Sequence, residues 1–177
     1  MNAFFDTNVI IYAYDPRSGA KQARANGLME RHATDRSMTV STQVLAECYA
    51  NLVRKGLLDA VHALRVVDGL CAGRVVAADA DSVQRGLALS QRYRLSSWDG
   101  LIVQAALDSG CTTLFTEDLQ AGQRFGDLEV VNPFADTAHE AVPSWPAPKA
   151  ARSKARDRKS TRLNSSHERL SRMPSSA

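Results

Sequence analysis

Short apolar runs alternate with amphipathic segments of helical length along most of this 177-residue sequence, and that alternation restricts the fold more than any other feature. The apolar runs precede Asp6 and recur as "SMTVST" (37–42), "RVVAA" (74–78), "CTTLFTED" (111–118) and "DLEVVNPF" (127–134). Between them, apolar residues fall at helical spacing over 18–34, 43–56, 59–72, 80–94 and 96–110. Local signals agree with these segments: Ser41 or Thr42 stands where a cap is needed, Asp79 or Asp81 does the same further on, and Gly56 and Gly110 close two helices. Strands joined by helices that can cross over pair in parallel and carry helices on both faces, so the fold class is α/β. At this length and 44% hydrophobic content the chain forms one core.

The stretch "AFFDTNVIIYAYD" places one acid, Asp6, inside an apolar run, with Asp15-Pro16 closing a helix of one or two turns. A carboxylate among Phe4, Phe5, Val9, Ile10 and Ile11 loses its hydration, and the loss must be offset by a partner or a cation. The first basic residue after it is Arg17. In open parallel sheets the ligand site lies beyond the carboxyl ends of the strands, and three more acids fall where that rule places a site. Glu47 lies in the helix after the second strand, Asp99 opens the helix over 96–110, and Asp118 ends the fourth strand. Singly, each has an ordinary explanation: Asp99 complements a helix amino terminus, Asp118 caps a turn and Glu47 is solvated. Together, if the first and fourth strands are neighbours, they repel one another unless a divalent ion holds them. Oxygen ligands without histidine or thiolate select Mg2+ or Mn2+.

Other chemistries find little support. The histidines, His32 and His62 in exposed-looking helices, His139 and His167, have no HxxxH or HxxE spacing, and no GxSxG, GxxxxGK or GxGxxG motif is present. Cys48, Cys71 and Cys111 are widely spaced and read as reduced core residues, not as a disulfide framework or a zinc knuckle. No apolar stretch is long enough for a membrane span and no signal peptide is visible, so a cytoplasmic location without a membrane partner is expected. The net charge of +3 says little about partners, because five of the 22 basic and two of the 19 acidic residues lie in 157–177 and the remaining body is balanced. That last stretch, "DRKSTRLNSSHERLSRMPSSA", resembles a sequencing adapter translated in frame. The expected organisation is therefore one domain over 1–134, a loose Pro- and Ala-rich segment over 135–156, and a foreign, disordered end.

The segments "FFDTNVIIYA", "STQVLAECYANL", "LSSWDGLIVQAA" and "LFTEDLQAG" resemble, in order and spacing, the four acidic blocks of PIN-domain nucleases, and among them the compact VapC-type toxins of toxin–antitoxin pairs. The likeness spans residues 2–134. It implies a three-layer α/β/α domain with a parallel sheet of order 3-2-1-4-5 and a Mg2+-dependent endoribonuclease site. It also implies Asp6, Glu47, Asp99 and Asp118 as catalytic and metal-binding residues, an RNA substrate, a cognate VapB-like antitoxin and a homodimer. Thr7 and Asn8 match the polar pair after the first acid and would orient carboxylates. Glu117 is the substitute for Asp118 should the register differ by one. Arg54, Lys55, Arg92 and Arg94, near helix ends flanking these segments, are the candidate RNA-binding cations. Competing readings are a catalytically weak PIN-like module that binds RNA or protein, an RNA-processing nuclease outside a toxin–antitoxin pair, and a phosphotransfer protein. The last needs an acid pair or DxDx[TV], whereas the sequence reads Asp6-Thr7-Asn8-Val9.

Overall fold

The computed structural model describes residues 2–135; the segments expected to be a loose tail and a foreign end lie outside the described residues. Strand β1 (Ala3–Phe5) is buried along its whole length, which suits a run with no polar side chain at the centre of a two-faced sheet. Helix α1 (Thr7–Tyr14) starts at once after it, with Asp6 as its cap, and stops where Asp15 and Pro16 forbid another turn. A 3-10 turn (Pro16–Ser18) leads to α2 (Ala20–Thr34). Strand β2 (Met38–Ser41) follows, and its last residue, Ser41, caps α3 (Thr42–Arg54) through its hydroxyl. Gly56, at φ 65°, ends that helical region in a conformation that costs other residues strain.

Helix α4 (Ala60–Cys71), strand β3 (Arg74–Val76) and helix α5 (Ala80–Tyr93), the last opened by a capping box between Asp79 and Ser82, complete the first half of the crossover pattern. Helix α6 (Ser97–Asp108) precedes strands β4 (Thr113–Phe115), β5 (Arg124–Phe125) and β6 (Leu128–Val131). Helices α5 and α6 touch through glycines: a Cβ on Gly100 would stand 2.5 Å from the Gly86 carbonyl oxygen and 2.6 Å from the Ser90 Cβ. No larger residue fits there without moving backbone, and the contact fixes the turn of α6 that carries Asp99.

The sheet order is β3-β2-β1-β4-β6-β5, with β5 antiparallel to β6 and the other neighbours parallel. The α/β class and the central order hold, but the expected five-strand 3-2-1-4-5 sheet gains an edge strand. Its cause is the two-residue Gly126-Asp127 turn, Gly126 at φ 62°, which folds Phe125 back onto Leu128. The core comprises Phe4, Phe5, Val9, Ile10, Val40, Val44, Val103, Leu114, Leu128 and Val130, each fully buried. Burying each such side chain contributes about 1.5–3 kcal/mol. Cys48 and Cys111 join it, whereas Cys71 is exposed, contrary to the expectation that all three cysteines lie in the core. His32, expected to be exposed, is half-buried edge-on against Phe5 and Phe115 and bonded to the Ser37 hydroxyl. Among the described residues no helix is long and apolar enough to cross a membrane.

Candidate active site

Parallel pairing of β1 with β4 sets Phe5 opposite Phe115, and the chain continues one residue further on each side to Asp6 and Thr116. There the Asp6 N–H donates to the Phe115 carbonyl at 3.0 Å, and both side chains emerge at the carboxyl end of the sheet. Asp6 is 8% exposed. Its Oδ1 accepts from the Thr7 backbone N–H at 2.6 Å, and its Oδ2 accepts from the Thr116 hydroxyl at 2.6 Å and from the Asn8 amide at 3.1 Å. The same Asn8 Nδ2 donates to Asp118 Oδ2 at 2.9 Å and to Thr116 Oγ1 at 3.1 Å, while the Asp118 N–H donates to Thr116 Oγ1 at 3.1 Å. One amide thus joins the first and fourth acids. Asp118 lies beyond β4 and not at its end, because the chain turns at Thr116, whose hydroxyl holds both segments.

Glu47 comes in from α3, one and a half turns after its start. Its Oε2 accepts from the Thr7 hydroxyl at 2.8 Å and its Oε1 from Gln43 Nε2 at 2.9 Å. Thr7 therefore links Glu47 to Asp6, through its hydroxyl on one side and its N–H on the other. Asp99, in the first turn of α6, is held by the Ser96 hydroxyl at 2.7 Å, and its charge is felt at Asp118. Glu117 turns elsewhere: it accepts from the Tyr12 hydroxyl and pairs with Lys21 Nζ at 2.6 Å.

Electrostatically the site is short of positive charge. Burial pushes the Asp6 carboxyl up to about 7, with the negative charges of Asp118 and Glu47 adding to the rise and the hydrogen bonds from Thr116 and Thr7 opposing it. Asp118 is also raised, first by loss of solvent and then by Glu117 and Asp99, against the Asn8 amide and Lys21. The thiol of Cys48 is pushed up by burial and by Asp6 and Glu47, so it stays protonated and serves as packing, not as a nucleophile.

Thr7 stands between Asp6 and Glu47 and Asn8 between Asp6 and Asp118, Asp99 is hydrogen-bonded to Ser96 and to none of the other acids, and among the described residues no three His, Cys, Asp or Glu side chains are gathered closely enough to ligate one ion as they stand. The donor set nevertheless fits a hard divalent cation. The acids present only oxygen, no hydrogen bond to Asp6 comes from a Lys or Arg, and the Asn8 Oδ1 is buried with no hydrogen-bond partner. Asp6, Glu47, Asp99 and Asp118 would hold it. A cleft of about 1340 Å³ lies between α2 and α4, lined by Met29, Arg36, Arg65 and Arg74 among others, and none of the four acids lines it.

Of the expected cations, Arg54 and Lys55 end α3, which runs for 13 residues, about 20 Å, away from its Ser41 cap. Lys55 senses Asp15 at the far end of α1, and Arg54 bonds Asn51. Neither is brought to the acids. Arg92 and Arg94 lie at the α5–α6 junction that leads directly to Asp99. The residue missed in the sequence is Thr116. Its signal was a polar residue directly after β4, at the register of Asp6 in the neighbouring strand.

A family model, PIN domain, matches residues 3–125. No curated protein matches the sequence significantly. Solved structures share the fold. A toxin–antitoxin complex from Klebsiella pneumoniae superposes with a TM-score of 0.57 at 23% identity, covering 75% of this chain and 98% of that one. VapBC2 from Rickettsia felis, bound to a DNA fragment from their promoter, gives 0.53 at 18% identity, covering 73% and 97%. VapC20 of Mycobacterium tuberculosis, a sarcin–ricin loop cleaving toxin, gives 0.50 at 17% identity, covering 64% and 87%.

Proposed function

The chain belongs to the PIN-domain family, and from that premise we propose that it is a Mg2+- or Mn2+-dependent endoribonuclease, the toxin of a toxin–antitoxin pair. One observation carries the reading: Asp6 is buried near Asp118 and Glu47 with no Lys or Arg bonded to it, yet polar groups from two segments, the start of α1 and the residue after β4, hold it in place. A structural apolar core gains nothing from such an arrangement. A divalent ion, when bound, supplies positive charge against the phosphoryl oxygens and acidity to the attacking water. The chain's part is to orient. Thr116 and Asn8 fix the Asp6 carboxylate, Asn8 sets its distance from Asp118, and Thr7 with Gln43 fixes Glu47 so that an oxygen is available to hold an ion or align water. Thr7 and Asn8 position; they touch no reacting atom.

The toxin assignment and the expectation of an antitoxin partner draw on the structural relatives, which include a toxin–antitoxin complex and a sarcin–ricin loop cleaving toxin. A homodimer and a cytoplasmic location belong to the same proposal. The test is full-length protein mixed with RNA in Mg2+, Mn2+ or chelator, beside Asp6→Asn. Cleavage that needs the ion and disappears in the variant supports the reading; equal cleavage by both proteins refutes it.

A further inference from the structure

Two consecutive acids after β4 face different surroundings. Asp118 turns to Asn8, which also holds Asp6, whereas Glu117 turns to a cluster built from other parts of the chain. Its Oε1 accepts from the Tyr12 hydroxyl of α1, and its Oε2 pairs at 2.6 Å with Nζ of Lys21, in the first turn of α2. The same ammonium lies over the Tyr12 ring, 4.6 Å from its centroid, and 5.5 Å from the centroid of Phe134, which is itself edge-on to Tyr12 at 5.1 Å. The side chains of Lys21 and Glu117 are 15% and 21% exposed, so each charge is largely withdrawn from water and depends on the other. Loss of solvent dominates at Asp118, yet both members of the pair are felt there, Glu117 pushing its carboxyl up and Lys21 holding it down.

We propose that Lys21 and Glu117 are positioning residues that set the charge of the ion site: the ammonium turns Glu117 away from the four acids and cancels its charge, so that an ion meets four carboxylates and not five. The proposal rests on the metal-dependent nuclease reading and adds to it a control of ion affinity. Chain connectivity makes such a control useful. Glu117 stands directly between Thr116, which holds Asp6, and Asp118, so an unpaired carboxylate there adds its field to theirs. A fifth carboxylate would tighten the ion and lessen the positive charge left for a phosphoryl oxygen. A staple that only ties α1 and α2 to this turn is harmed alike by loss of either partner. A charge balance is tipped in opposite directions, and that difference can be measured.

The test is Mn2+ binding to full-length protein at pH 7, read as loss of the free-ion signal in electron paramagnetic resonance, which needs no turnover. Lys21→Met leaves Glu117 unbalanced and should tighten Mn2+ about fivefold. Glu117→Gln keeps an acceptor for the Tyr12 hydroxyl but leaves the ammonium unbalanced, and should weaken Mn2+ about fivefold. The double variant and Lys21→Arg should both lie within about twofold of the wild type. In RNA cleavage at saturating Mg2+, Lys21→Met should lower kcat about tenfold with KM for RNA within about twofold, and the double variant should regain most of the loss. Shifts of the same sign in the two single variants, no shift in either, or a double variant further from the wild type than both overturns the proposal. Glu117→Gln decides alone where Lys21→Met fails to fold, since an affinity that is unchanged or tighter refutes the charge balance. Wild-type protein that takes up no Mn2+ refutes the metal-dependent reading and the balance with it, whereas an ion bound alike by every variant removes only the balance.

Discussion

The two ends of α1 carry acids of equal burial and opposite character. Asp6 before the helix and Asp15 after it are each 8% exposed, and each accepts a backbone N–H as a cap. Asp15 also receives the Arg17 guanidinium at 2.8 Å, and that bond holds its carboxyl below the usual range. Asp6 receives only neutral donors and two negative neighbours, and its carboxyl is pushed up to about 7. Low exposure of a carboxylate is therefore uninformative by itself: Asp6 lies deeper, so that loss of solvent dominates its shift, whereas at Asp15 the Arg17 bond outweighs it. What distinguishes the two is the counter-charge, which Asp15 finds in its own sequence two residues on and Asp6 does not find among the donors that hold it.

The largest contrast should appear in activity. Asp6→Asn is expected to lower cleavage about a thousandfold, while Asp15→Asn leaves kcat within about twofold and costs on the order of 1 kcal/mol of stability, read from RNA cleavage rates and urea midpoints. Similar activity in the two variants would break the comparison.

The next effect is in pH. A carboxyl raised from 3.8 to about 7 on folding binds its proton more tightly in the native state, so its contribution is complete below pH 3.8 and is lost as pH rises to 7. In chelator the folded protein should lose on the order of 4 kcal/mol across that window from this group. Melting temperatures in chelator should therefore fall from pH 5 to pH 8 and recover on adding Mg2+ at pH 8. The slope should be much reduced in Asp6→Asn, where the raised Asp118 still contributes, and persist in full in Asp15→Asn. Asp15, with a lowered carboxyl, gives the opposite sign: its stabilisation is present above its unfolded value and disappears only as acid titrates the Arg17 pair.

Smaller still are the orienting groups. Asn8→Ala and Thr116→Val should each reduce cleavage about 10- to 100-fold with unchanged folding by circular dichroism, because they release Asp6 and Asp118 without removing either. Loss in only one of the two would assign the hydrogen-bonded junction to that residue alone.

The four acids were legible because strand and helix periodicity placed each at the carboxyl end of the sheet or in the first turns of a helix next to it. How they are joined was not legible. Thr116 lies 110 residues from Asp6, and the bond between them follows from the β1–β4 register, which no local pattern in either strand fixes. Asn8 was legible as an orienting group, but not as the single bridge to Asp118. Strand β5 escaped because Arg124-Phe125 is too short to show alternation, although Gly126-Asp127 is an ordinary hairpin signal. Arg54 and Lys55 stand near a helix end flanking a site-bearing segment; helical rise puts that end of α3 opposite its Ser41 cap. Lys21 was overlooked for a related reason: its partner Glu117 is 96 residues distant.

The most direct measurement is titration calorimetry of Mn2+ into full-length protein at pH 7 in buffers of differing ionisation enthalpy. Uptake that releases protons from the wild type, persists in Asp15→Asn and disappears in Asp6→Asn is the expected result. Folded wild-type protein that takes up no ion, or Asp6→Asn that takes it up equally well, would contradict the account.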